Sequence, residues 1–199
     1  MEFTDIIGVD EPGFLGGQFL LAMPGMSDAR FEKAVILLAG HSERGALGFV
    51  VNHPAELTMG EMYEKVGIEP EDLTADRPDD DMPVMRGGPV ESSRGFVLHS
   101  NDYVSSSTMK LNDAISLTTT LDILKAMAMG VGPDRAMLTI GYAAWDGGQL
   151  ENELLENVWL TTGSDIDLMF KVPSDERYAA AFRAMGVPLE ALSGVAGTA

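Results

Sequence analysis

The chain alternates short apolar runs with polar breaks rich in glycine and proline, and the lengths of the runs set the expected elements. Residues 18–23, Gln-Phe-Leu-Leu-Ala-Met, stop at Pro24-Gly25 and read as a strand, because proline removes a donor and glycine permits the turn. Residues 27–31 suit a turn or a single helical turn capped by Ser27 or Asp28. The continuous runs 34–39 and 46–52 have strand length and no polar alternation, which suits strands buried on both faces. A five-residue loop, His41 to Gly45, joins them as a hairpin. At its far end Asn52, before His53-Pro54, is expected to turn the chain in a left-handed conformation.

Helical periodicity appears next. Thr58 and Glu61 have the spacing of a capping box, and Met59, Met62, Tyr63 and Val66 fall on one face of a helix over 59–66. Residues 95–99 and 136–144 read as strands, 118–129 as a helix stopped by Gly130, and 151–158 as a helix with carboxylates near its start. Residues 100–113 are polar and hold little core. The runs 159–162 and 166–170 are expected to be strands, and 174–185 a last helix capped by Ser174. About seven to nine strands and four helices make an α+β, mixed α/β fold in one domain over residues 14–190. Residues 1–13 read as an N-terminal arm and 191–199 as a tail.

Composition narrows the classes. The 199 residues carry 31 acidic and 13 basic side chains, a formal charge of −18, and no cysteine. Thiol chemistry, disulfide scaffolds and zinc ribbons are excluded. The bases are scattered, so neither phosphate backbones nor anionic membranes are favoured partners. The loop 69–81 holds seven acids and one base, a third of the net charge. No apolar run approaches the ~20 residues of a bilayer span, and the N-terminus is acidic, so a cytoplasmic protein is expected.

Two glycine pairs carry the candidate chemistry. Around Trp145, Asp146, Gly147, Gly148, Gln149, Glu151 and Glu153, the glycines let a ligand approach the backbone, Gln149 offers a donor and an acceptor, and three carboxylates lie close in sequence. Asp146, Glu151 and Glu153 would serve a metal-assisted hydrolase if they converged. The plainer role is a strand-to-helix turn in which Asp146 caps and the glycines take positive φ. Arg86, Gly87, Gly88 and Pro89 would make either an anion-binding nest or a tight connection between strands. His41, His53 and His99 lack the spacing of a zinc site and read as hydrogen-bonded structural residues. His99 with Asp102 and either Ser92 or Ser100 is the nearest approach to a catalytic set, with no nucleophile-elbow motif. The thirteen methionines read as core filler.

The segments at residues 17–24, 45–54, 87–90 and 141–154 (GQFLLAMP, GALGFVVNHP, GGPV and GYAAWDGGQLENEL) strongly resemble the YqgE/AlgH family, in order from about Gly16 to Gly186. The resemblance implies a bacterial cytoplasmic protein of two intertwined lobes around a shared sheet. It implies no agreed ligand, cofactor or catalytic residue, and the family is described as uncharacterised or as a transcriptional regulator. Members often carry Trp where this chain has Tyr178. The expectation is therefore a regulatory or adaptor protein without cofactor or metal. It would bind a protein or a small ligand through the two glycine turns and make no direct contact with DNA.

Overall fold

The computed structural model describes residues 14–68, 79–189 and 192. The expected arm, most of the acidic loop and nearly all of the tail lie outside the described residues. In chain order the elements are β1 (Gln18–Ala22), a 3-10 turn (Ala29–Phe31), β2 (Val35–Ser42), β3 (Gly45–Val50), β4 (Pro54–Thr58), α1 (Met59–Lys65), β5 (Pro83–Arg86) and β6 (Val90–Ser100). There follow β7 (Met109–Lys110), β8 (Ile115–Thr118), α2 (Leu121–Ala128), β9 (Ala136–Asp146), α3 (Gln149–Leu155), β10 (Trp159–Gly163), α4 (Ile166–Lys171) and α5 (Arg177–Ala184). The strands form one sheet in the order β10-β1-β2-β3-β9-β6-β8-β7, with β5 paired parallel to β9 and antiparallel to β4.

β9 joins the two halves of the sheet. Its C-terminal part, Ala143 to Asp146, pairs with β3, and its N-terminal part pairs with β6 on one edge and with β5 on the other. Between β5 and β6 the chain must therefore cross over β9. It does so at Gly87-Gly88-Pro89, where Val50 N–H donates to the Gly87 carbonyl and Gly87 N–H donates to Ile140, each at 2.8 Å. The crossing leaves no room for side chains. A Cβ on Gly87 would lie 2.2 Å from the Gly141 carbonyl oxygen, and one on Gly88 would lie 2.1 Å from the Tyr142 carbonyl carbon. Gly141, at φ 72°, answers them from below.

The unbroken apolar runs are explained by burial on both faces. Along β2, Val35, Leu37 and Ala39 face a core shared with α4 and α5, while Ile36 and Leu38 face a second core containing both tryptophans. A third cluster lies under α1 and α2, around Tyr63, Val84, Val97 and Leu138. Helix α1 begins with the expected capping box: Thr58 Oγ1 accepts from Glu61 N–H at 3.3 Å and Glu61 returns an oxygen to Thr58 N–H at 2.9 Å.

Several expectations are corrected. Residues 166–170 form helix α4, because Asp165 caps the N–H groups of Asp167 and Leu168. A short apolar run does not reveal its own period, and here the cap decides it. The last helix starts at Arg177 with Glu176 at the N-cap position, so Ser174 does not cap it. Residues 115–118 are a fully buried strand, which delays α2 to Leu121, and Met109 and Leu111 also pack on the core. The β2–β3 hairpin loop is two residues, Glu43 and Arg44, with Gly45 at φ 135°. The ten strands and five α-helices among the described residues exceed the expected number. Asn52 has no positive φ; its side chain accepts from Val35 N–H at 2.7 Å and donates to the Lys33 carbonyl at 2.8 Å, and the left-handed residue is Lys33.

Candidate functional site

The segment after β9 is a closed hydrogen-bonded unit. Glu153 Oε2 accepts from both indoles, Trp145 Nε1 at 2.8 Å and Trp159 Nε1 at 2.7 Å. Its other oxygen accepts from Gln149 Nε2 at 2.8 Å, and Gln149 Oε1 accepts from Asp146 N–H at 3.0 Å. The two indoles are buried and meet edge to face at 5.8 Å, a geometry their quadrupoles favour. Gly148 is the N-cap residue of α3 at φ 78°, so Asp146 does not cap the helix. Gly147 is required by proximity, since a Cβ there would lie 2.6 Å from the Glu43 carbonyl oxygen.

Glu151 serves a different partner. His41 is buried, its Nδ1 accepts from Leu15 N–H at 3.1 Å, and its Nε2–H then donates to Glu151 Oε1 at 3.0 Å. The second Glu151 oxygen is buried without a hydrogen-bond partner, a state that an ordered water commonly relieves. Glu151 thus points to an imidazole and Glu153 to two indoles, while Asp146 is exposed and only its backbone N–H joins the unit. Among the described residues no group of three potential ligands could hold a metal ion.

The two glycine turns are separated along β9. Gly87 and Gly88 sit over Gly141 and Tyr142, while Trp145 lies three residues further on, roughly 10 Å at the rise of a strand. The cavity bordered by Arg86, Gly88 and Pro89 contains no residue of the segment 145–153.

That cavity, of about 410 Å³, also involves Arg30, Glu32 and His53. It adjoins a larger one of about 660 Å³ bordered by Met23, Met26, Lys33, Asn52 and Tyr178, and both contain Glu32 and His53. His53 Nε2 lies 3.0 Å from the Glu32 carbonyl, and burial pushes its imidazole below the ordinary value, with the Arg86 charge acting in the same direction. Arg30 is held by Asp28 in a two-pronged pair, whereas Arg86 makes no ion pair with a described residue. Tyr178, on α5, donates its hydroxyl to the Ala22 carbonyl at 2.6 Å and walls the larger cavity. Sequence reading singled out Arg86 but not this cleft. Its parts come from the β1–β2 connection, the end of β3 and α5, which no local pattern brings together.

His99 does not form a catalytic set. It is fully buried, donates from Nδ1 to the Ser100 carbonyl at 2.7 Å and accepts at Nε2 from Thr118 at 2.9 Å, while the Ser100 hydroxyl donates to Asp102. Burial lowers its proton affinity, partly offset by the Ser100 carbonyl and by Asp102. With the folded value below the unfolded one, the unfolded chain binds more protons in the window between them. The stability contributed by neutral His99 and His53 is full above the unfolded value near 6.5 and is lost as the pH falls through their folded values. The urea midpoint is therefore expected to fall between pH 7 and pH 5, and less steeply in a His53→Gln, His99→Gln double variant. Equal slopes would remove the histidines as the cause.

These features define a small α+β domain in which Glu151 and Glu153, two of the three carboxylates marked for chemistry, are committed to structural hydrogen bonds. A family model described as AlgH-like matches residues 19–190, and the chain belongs to that family. A UPF0301 protein of Rhizobium etli is 45% identical over 95% of each chain. Another, from Bradyrhizobium diazoefficiens, is 47% identical over 94% of this chain and 89% of its own. The solution structure of the AlgH protein from Pseudomonas aeruginosa matches with a TM-score of 0.75 and 38% identity, covering 96% of this chain and 99% of that one. A Corynebacterium diphtheriae protein shares the fold at a TM-score of 0.71 and 20% identity. Among the described residues, no helix is long and apolar enough to cross a membrane.

Proposed function

We propose that the protein is a non-enzymatic regulatory or adaptor module of the bacterial cytoplasm that receives a small ligand, or a side chain of a protein partner, in the His53 cleft. The carrying observation is the junction of two cavities at His53, one with an apolar wall and the other bordered by Arg86, which has no acidic partner among the described residues. Such a cleft orients a ligand with an apolar body and an anionic end. Arg86, Gly88 and Pro89 belong to the binding surface in this reading, and the segment 145–153 supports the sheet behind it. Action through a ligand rather than through DNA follows from the charge of −18, which opposes a phosphate backbone.

The test is thermal unfolding against a panel of carboxylated and phosphorylated metabolites. A ligand at a hundred times its Kd stabilises the native state by about 2.7 kcal/mol. At least one compound is expected to do so, and Arg86→Ala and His53→Ala should each weaken it about tenfold. A panel without effect, or an effect indifferent to both variants, overturns the proposal.

A further inference from the structure

A further cavity, of about 330 Å³, lies between β5, the start of β9 and the link from α4 to α5. Its walls include Met85, Met137, Phe170 and Val172, and Arg177 opens into it. Arg177 is only 7% exposed and is the one buried arginine or lysine among the described residues. Its Nε donates to the Val172 carbonyl at 2.9 Å and its Nη1 to the Val51 carbonyl. A guanidinium has five N–H groups, so these two bonds leave three unused, including both on Nη2. No carboxylate among the described residues pairs with it.

Arg86 also lacks an acidic partner among the described residues, but Arg177 lacks one while buried. Carboxylates outnumber bases 31 to 13, and Arg30, Arg94 and Arg135 each hold an acidic partner. A largely buried ion without a counter-charge is disfavoured relative to one in water. Burial accordingly lowers the proton affinity of Arg177, to about 10. The two carbonyl bonds account for its position as a clasp between β3 and α5. They do not account for a full positive charge at the end of an apolar cavity. Asp175 stands at the mouth but is exposed and makes no ion pair with Arg177, and Lys171, also at the mouth, is held by Asp167 at 2.9 Å.

We propose that this cavity is a binding site for an organic monocarboxylate, whose carboxylate takes the free N–H groups of Arg177 and whose short aliphatic body lies against Met85, Met137 and Phe170. The carboxylate supplies the missing counter-charge in the planar geometry a guanidinium prefers, and the methionines adapt to the chain. The cavity shares Ser174 and Asp175 with the larger part of the His53 cleft, but neither His53 nor Arg86 borders it.

The experiment is calorimetric titration of the full chain with hexanoate, using 1-hexanol and hexylamine as controls for the apolar body and the opposite charge. Hexanoate is expected to bind at least tenfold more tightly than either control. Arg177→Lys keeps a charge but loses the fork, and should weaken hexanoate tenfold or more. Lys171→Glu, at an exposed position that does not risk the core, should weaken it severalfold, while His53→Ala leaves it unchanged. No heat with hexanoate at millimolar concentration, equal binding of hexanol, or equal loss in His53→Ala and Lys171→Glu would each overturn the site. Should Arg177→Lys fail to fold, the hexanol comparison and the Lys171→Glu result decide the matter.

Discussion

Gly88→Ala is expected to destabilise the protein by on the order of 4 kcal/mol, enough to consume much of the stability of an ordinary domain. The added carbon would meet the Tyr142 carbonyl carbon at 2.1 Å, its oxygen at 2.3 Å and the Ala143 nitrogen at 2.4 Å. All three are backbone atoms of a strand paired on both edges, so none can swing aside as a side-chain end could. Relief requires the crossing segment to lift from β9, which breaks the bonds of Gly87 to Val50 and Ile140. Gly163→Ala is the matched control, because nothing lies within 4 Å of its built Cβ. Its effect should stay within about 0.5 kcal/mol. Urea unfolding of the two variants checks the contrast, and equal midpoints would show that the crossing is not tight.

Glu153→Ala is expected to cost about 3 kcal/mol, because two buried indole N–H groups lose their common acceptor and each unsatisfied donor carries roughly 1 to 3 kcal/mol. Glu153→Gln should cost less. Its carbonyl oxygen can still serve the indoles, while its amide nitrogen replaces the oxygen that accepts from Gln149. The chain has two tryptophans and both belong to this unit, so their fluorescence reports it without interference. The alanine variant should show altered emission under native conditions and a lowered urea midpoint. Unchanged emission with unchanged stability would mean that the carboxylate is not shared by the indoles in solution.

The parts of the fold visible in the sequence are those fixed by local chemistry. Thr58 and Glu61 announced α1 because a capping box needs only four residues. The apolar runs at β2 and β3 announced burial on two faces, and their proximity announced the hairpin. Residues 166–170 misled because an apolar pentapeptide fits either period, and Ser116, buried in the short strand β8, lies in a stretch too polar to stand out. The glycine pairs were conspicuous, but their reason was remote: Gly87 and Gly88 answer to Gly141, more than fifty positions away. For the same reason Glu151 and Glu153 looked alike in the sequence, although one meets His41 and the other meets two indoles. The His53 cleft and the Arg177 cavity were hidden because each is assembled from segments far apart along the chain.

The placement of β1 between β2 and β10 bears on how the chain is made. Leu20 pairs with Ile36 on one side and with Thr161 on the other. During synthesis the β1–β2–β3 meander can assemble early, yet one edge of β1 and one edge of β3 stay bare until β10 and β9 have left the ribosome. Such edges invite pairing with other chains, and long-range closure of this kind is slow. Nascent chains arrested before residue 136 should therefore depend on a chaperone for solubility, and those extended beyond residue 163 should be released from it.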